Sequence, residues 1–287
     1  MPAMITEALN APRLCVSMVL HNSSLEQLRV TLDSLIVSLR GLDGLVAGPV
    51  CLSLLDNCSH HDYRRELATL TADLERECDA RLSVRLQFSE QNTGFGSGHN
   101  QALKDTPGAS GYVLILNPDV ELAPDALREA LCYLEQQPDV VAVNPYCERS
   151  DGSREYLCKR YPAAVDLVLR GLPFPGLRQL FAPRLARYEY RDLAPAVPAN
   201  VCLLSGACLL CRHADFVATG GFNEQFFMYF EDFDLSLRLA SRGSLMYLPS
   251  MRIVHHGGFA ATKGLRHIGW FVRSALRFFS LHGWRLH

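Results

Sequence analysis

Leu114-Ile-Leu-Asn-Pro-Asp119 is an apolar run that stops in a turn of Asn, Pro and Asp. A run of this kind closed by turn formers predicts a buried strand with a carboxylate at its carboxyl end. On either side, strand and helix signals alternate. Residues 14–20 form a short apolar run, followed by Ser23 and Ser24 as capping residues and a periodic segment to about Leu39. Residues 50–55 form a second run, closed by the polar turn Asp56-Asn-Cys-Ser-His60. Further strands are predicted at 81–88, 112–116 and 140–143, and helices at about 97–104 and 124–136. This βα repetition predicts an α/β fold: a Rossmann-like, mainly parallel central sheet flanked by helices on both faces. Ligands of such sheets bind beyond the carboxyl ends of the strands. His21-Asn22, Asp56-Asn57, the loop 91–100 and Asn117-Pro-Asp119 all fall at such ends, so they are expected to converge on one crevice.

Phe227-Met-Tyr-Phe-Glu-Asp-Phe-Asp234 sets three carboxylates directly after an aromatic run, where burying unpaired charge is costly. Glu231 opens a helix whose apolar positions Phe233, Leu237 and Ala240 recur at helical spacing, ending near Arg242-Gly243. Complementing the helix dipole accounts for one or two of these acids. The same position keeps a carboxylate ionised, as a general base requires.

At 287 residues, with 48% hydrophobic and 20% charged content, the chain can bury a substantial core and is not disordered. The net charge of −2 conceals an asymmetry: no acid follows Asp234, while eight Arg and Lys do. Ten dispersed cysteines, most of them in apolar runs, read as reduced core thiols. Cys208-Leu-Leu-Cys211 has zinc-knuckle spacing but no second pair, and sits in an apolar run at 203–210 that reads as a buried strand. With neither a secretory signal nor a run of about 18 apolar residues, the expected location is the cytoplasm. Residues 150–198 are rich in Pro, Arg and aromatics (Pro173-Phe-Pro-Gly176, Ala194-Pro-Ala-Val-Pro198) and predict a long excursion rather than a linker to a second fold.

Together these ordered motifs resemble a family 2 glycosyltransferase of the GT-A fold, close to the bacterial rhamnosyltransferase branch, over about residues 13–258. The resemblance implies a GT-A domain at 1–262, with a nucleotide-binding half at about 13–145 and an acceptor half at about 146–262. It assigns Asp119 as ligand to Mg²⁺ or Mn²⁺, with Asn117 where the wider family has Asp, and a late histidine, His255 in preference to His256, to complete the metal shell. Asp232 matches the acid that acts as base, with Glu231 as competitor. Asp56 would accept from N3–H of uracil or thymine. His21, Asn22, Asn92, Gly94, Phe95, Asn100 and Asn117 would face the nucleotide. The glycines of 94–98 lack dinucleotide-fingerprint spacing and match the family's Asn-x-Gly-Phe segment instead. Leu204-Ser-Gly-Ala207 and Gly220-Gly-Phe-Asn-Glu224 resemble segments beneath the acceptor, with Asn223 departing from the usual Asp.

The expected activity is inverting, metal-assisted transfer from a nucleotide sugar, dTDP-L-rhamnose or a UDP-hexose, to a saccharide acceptor carried on a lipid or destined for a surface polysaccharide. The rivals are a metal-dependent phosphohydrolase and a non-catalytic nucleotide-sugar binder, and nucleic acid is not an expected partner. Residues 263–287 read as a C-terminal helical extension. Arg266, Trp270, Arg273 and Arg277 share one face, with Ile268, Phe271, Val272, Ala275, Leu276 and Phe279 over much of the rest. Such a helix either packs on the core or lies on an anionic bilayer at the cytoplasmic face of the inner membrane.

Overall fold

The computed structural model describes residues 13–78, 81–104, 111–171, 179–257 and 264–285. The apolar runs become β1 (Arg13–Leu20), β2 (Val50–Asn57), β3 (Leu82–Ser89) and β4 (Gly111–Leu116), parallel in the order β3-β2-β1-β4. Beyond β4 lies β9 (Cys208–Arg212), antiparallel to both β4 and β6 (Val140–Arg149). The sheet ends with β10 (Ser244–His255), parallel to β6, and β5 (Val120–Leu122), antiparallel to β10. Two-residue strands, β7 (Arg154–Glu155) and β8 (Ala199–Asn200), attach to β6 and β10.

Both faces of this sheet are covered, which is why its strands read as continuous apolar runs rather than alternating ones. Leu14, Val16 and Met18 of β1 and Leu114 and Leu116 of β4 belong to the core under α1 (Leu25–Leu39), α2 (His61–Glu77) and α4 (Ala126–Gln136). Cys15, Val113 and Ile115 belong to the opposite core, under α3 (Phe95–Leu103), α7 (His213–Ala218) and α8 (Glu231–Ala240). Ser24 caps α1, its hydroxyl accepting from Gln27 N–H at 3.3 Å. Cys208 and Cys211 are fully buried free thiols in β9, one in each core, so they face away from each other and cannot share a zinc ion.

The structure extends several expected elements. β6 runs on to Arg149, and β10 occupies twelve residues whose alternation is interrupted by Pro249 and by a register shift between Leu248 and Arg252. On α8 the fully buried apolar positions are Leu235 and Leu239, whereas Ala240 is exposed. The 150–198 excursion joins the main body. Leu157 and Cys158 enter the two principal cores, while Leu167 of α5 (Ala164–Gly171) and Tyr188 of α6 (Ala182–Tyr188) join Phe226, Phe230, Phe278 and Phe279 in a third. Pro173-Phe-Pro-Gly176 lies outside the described residues, as does Lys263 at the expected start of the last helix.

That helix, α9 (Leu265–His282), packs on the core and turns part of its basic face inward. Trp270 packs on Phe227 with ring centroids 4.7 Å apart, and Arg277 donates to Gln225. Phe271, Ala275, Phe278 and Phe279 pack in the third core. The outward stripe is apolar instead: Ile268, Val272 and Leu276 are 50–55% exposed, with exposed Arg266 and Arg273 beside them.

Candidate active site

Asp56 is fully buried where β2 ends. Its Oδ2 accepts from Ser59 N–H (3.2 Å) and Arg64 Nε (2.7 Å), while its buried Oδ1 has no partner among the described residues. Next to it, Asn57 acts as the hub of this edge. Its amide donates to Gly94 O (2.9 Å) and Asn92 Oδ1 (3.2 Å), its side-chain oxygen accepts from Thr93 N–H (3.0 Å), and its carbonyl meets His21 Nδ1 at 2.9 Å. Asn22, at φ +48°, donates its N–H to Ser59 Oγ at 2.8 Å and accepts from His60 N–H at 3.0 Å. His21, Asn22, Asp56, Asn92 and Gly94 are thereby brought together. Sequence placed Asn57 at a strand end without a role, and the Asp-Asn pair was the available signal.

Phe95 N–H donates to the Phe227 carbonyl at 2.9 Å, joining the glycine loop to the aromatic run before the carboxylates. Asn100 serves another edge. Its amide donates to Phe222 O (2.8 Å) and Glu224 Oε1 (3.1 Å) and accepts from Phe222 N–H (2.9 Å), so it clamps loop 221–224. His99, which the sequence did not single out, is fully buried between Phe95 and Phe222, with Nδ1 2.7 Å from Ser17 Oγ. Burial pulls its pKa down to about 3, so it is a neutral packing residue.

The three carboxylates of α8 have three different surroundings. The helix is entered through Tyr229 and Phe230 at φ +70° and +66°, sparsely populated for such residues. Ser274 Oγ of α9 holds the Met228 carbonyl at 2.8 Å. Asp232, half-buried, accepts from Gly206 N–H (3.1 Å) and its neighbour Phe233 N–H (2.9 Å). Burial raises its pKa, while these N–H groups and the charge of Lys159 oppose the rise. Glu231 is buried, and its Oε2 has no partner among the described residues. Burial, and then the charge of Asp232, push its pKa well above the ordinary 4.5. Burial raises both acids, but their surroundings differ: Glu231 is enclosed with Oε2 unmet among the described residues, whereas Asp232 is held by backbone N–H groups that favour its ionised form. Asp234, 1% exposed, is structural. It bonds Arg238 at 2.7 Å and His282 Nε2 at 2.8 Å, tying α9 to α8.

On the far side of the same edge, Asn117 N–H donates to Ala207 O (2.9 Å). Antiparallel pairing of Val120 with His255 then brings Asp119 to the end of β10, where His255 Nε2 lies 3.3 Å from Asp119 Oδ1. His255 Nδ1 meets Glu155 Oε2 at 3.1 Å. Burial would lower the His255 pKa, but bonding to Asp119 and Glu155 outweighs it and raises it to about 9. His256 turns instead to Glu121, 3.1 Å away. Cys147 Sγ, Glu155 and His255 offer donor atoms within 4.8 Å of one another, and burial, with the charge of Glu155, pushes the Cys147 thiol up. A carboxylate converging with an imidazole suits Mg²⁺ or Mn²⁺. Gly257 keeps room open at Asp119 Oδ2 that a Cβ would fill, so these residues fit a divalent ion.

A sheet of this strand order, with carboxylates ranged along the carboxyl ends of its strands, defines a GT-A protein. The chain belongs to glycosyl transferase family 2, whose model matches residues 15–216. The N-acetylglucosaminyl-diphospho-decaprenol L-rhamnosyltransferase of Mycobacterium tuberculosis is 32% identical over 192 residues, covering 61% of this chain and 59% of that protein. Rhamnosyltransferase WbbL of Escherichia coli K12 is 29% identical over 172 residues, covering 57% and 61%. The chain thus spans about three-fifths of the length of these two relatives. Among solved structures, GalNAc-T7 with UDP, GalNAc and Mn²⁺ superposes with a TM-score of 0.64 at 14% identity, covering 94% of this chain and 48% of that one. The mannosyltransferase PcManGT from Pyrobaculum calidifontis, with GDP-Man and Mn²⁺, gives 0.57 at 17% identity, covering 94% and 66%. At these identities the likeness is one of fold.

Proposed function

We propose that the chain is an inverting glycosyltransferase moving L-rhamnose from dTDP-L-rhamnose to a lipid-linked saccharide. The observation that carries this reading is the different setting of neighbouring acids: Asp232 is half-open and held by two backbone N–H groups, while Glu231 is buried with Oε2 unmet among the described residues. Asp232 takes the proton of an acceptor hydroxyl. That oxygen attacks the anomeric carbon, the bond from this carbon to the diphosphate breaks, the nucleoside diphosphate leaves, and the configuration inverts. Asp119 and His255 would hold a divalent ion, whose charge offsets that of the departing diphosphate. The unpartnered Oδ1 of Asp56 suits N3–H of thymine or uracil, which divides the molecule into a nucleotide half at about 13–145 and an acceptor half at about 146–262.

The relatives named as rhamnosyltransferases support the donor, and the diphospho-decaprenol acceptor in one name supports a lipid carrier. No helix among the described residues is long and apolar enough to cross a membrane. A cytoplasmic enzyme meeting its acceptor at the bilayer fits α9, where the stripe Ile268, Val272 and Leu276 beside Arg266 and Arg273 suits an anionic phospholipid surface. Incubating the protein with Mn²⁺, a polyprenyl-diphosphate-linked N-acetylglucosamine and matched dTDP- and UDP-sugars tests the proposal. Transfer from dTDP-L-rhamnose is expected. Transfer from a UDP-hexose alone would remove the rhamnosyl assignment, and donor hydrolysis indifferent to acceptor would remove the transferase reading.

A further inference from the structure

Glu155 belongs to none of the motifs read in the sequence, yet it grips His255. It lies on β7, where pairing with β6 sets it opposite Cys147, and its side chain is only 17% exposed. Its two oxygens face different ways: Oε1 lies 3.9 Å from Arg149, and Oε2 lies 3.1 Å from His255 Nδ1 and 3.9 Å from Cys147 Sγ. The imidazole is therefore held at both nitrogens, Nδ1 by Glu155 and Nε2 by Asp119.

We propose that Glu155 is a positioning residue of the metal site: by accepting the Nδ1 proton of His255 it fixes the ring and directs the Nε2 lone pair to the ion at Asp119. The proposal rests on the reading of Asp119 and His255 as ligands. A carboxylate behind a ligating histidine sets its tautomer and raises its basicity, and losing such a partner typically weakens metal affinity about 10–100-fold. The excursion at 150–198, expected within the acceptor half, thereby contributes to the metal site through a two-residue strand.

Titration of the full chain with Mn²⁺ alone, followed by the electron paramagnetic resonance signal of the free ion, tests this. Melting without Mn²⁺ identifies which variants are folded. Glu155→Ala is expected to weaken Mn²⁺ binding about 10–100-fold. Glu155→Gln, which still offers an oxygen to Nδ1–H but no charge, should fall between it and wild type. Because Glu155 acts through His255, adding Glu155→Ala to His255→Ala should bring no further loss. Wild-type affinity in a folded Glu155→Ala while Asp119→Asn and His255→Ala bind poorly would overturn the proposal and leave the ligands standing. Wild-type affinity in all three would remove the ligand reading as well. If Glu155→Ala does not fold, Glu155→Gln decides, with reduced affinity supporting the role and unchanged affinity overturning it.

Discussion

Gly94 lies against the backbone carbonyl of Phe227, and the next residue, Phe95, donates its N–H to that carbonyl at 2.9 Å. The loop after β3 and the segment leading to Asp232 are therefore joined directly, although 133 positions separate Gly94 from Phe227.

Gly94 has φ +88°, and a Cβ there would overlap the Phe227 carbonyl. Gly94→Ala is expected to cost about 1–3 kcal/mol, seen as a lower Tm, and to weaken nucleotide binding. Gly44, at φ +81° with open space around it, is the control. Gly44→Ala incurs the backbone strain without the collision and should lose less. Equal losses would show that contact with Phe227 is unimportant.

Glu231 leads to a prediction about pH. The unfolded chain releases its proton near the ordinary 4.5, whereas the folded protein retains it, because burial and Asp232 raise the folded pKa. Its contribution to stability is therefore full below about 4.5 and is lost as pH rises toward the folded value. Glu231→Gln keeps the shape without titrating. Its Tm should exceed wild type at neutral pH and converge with it under acid conditions, so a gap independent of pH would contradict the buried, protonated state.

Asp234 should behave as a structural acid. Asp234→Ala removes the acid that pairs with both Arg238 and His282, leaving Arg238 only its bonds to the Thr219 and Gly221 carbonyls, and breaking a buried pair of this kind costs about 3–5 kcal/mol, measurable by denaturant unfolding. His282→Ala, which leaves Asp234 paired with Arg238, should cost less. An Asp234→Ala protein of wild-type stability would refute this role.

The outward stripe of α9 makes a separate claim. Replacing Ile268, Val272 and Leu276 with Ser, or Arg266 and Arg273 with Gln, should release the protein from acidic vesicles in a sedimentation assay. Salt should weaken retention too, since exposed charges are screened over about 10 Å at 0.1 M. Equal retention on neutral and acidic vesicles would argue against electrostatic docking.

The convergence of residues at the strand ends was legible because they sit where an apolar run meets turn formers, as at Asp56 and Asn117-Pro-Asp119. Asp232 was legible because three acids after an aromatic run need an explanation. Glu155 was not: its strand is two residues long and takes its partner from tertiary pairing, which leaves no periodic trace. Asn100 read as a loop residue near the nucleotide, yet its amide is spent on Phe222 and Glu224, contacts more than 120 positions away. The facing of α9 was hidden for a similar reason. Trp270 and Arg277 share a face with Arg266 and Arg273 by spacing, but Phe227 and Gln225 draw the first two inward.

The central claim is that Asp232 takes the proton of the attacking hydroxyl. Turnover and donor affinity of Asp232→Asn, measured side by side with Glu231→Gln, test it most directly. The account predicts that Asp232→Asn binds donor as wild type does while transfer falls by about 10²–10⁴, with Glu231→Gln retaining most of its turnover. Near-normal transfer by Asp232→Asn alongside an inactive Glu231→Gln would contradict it.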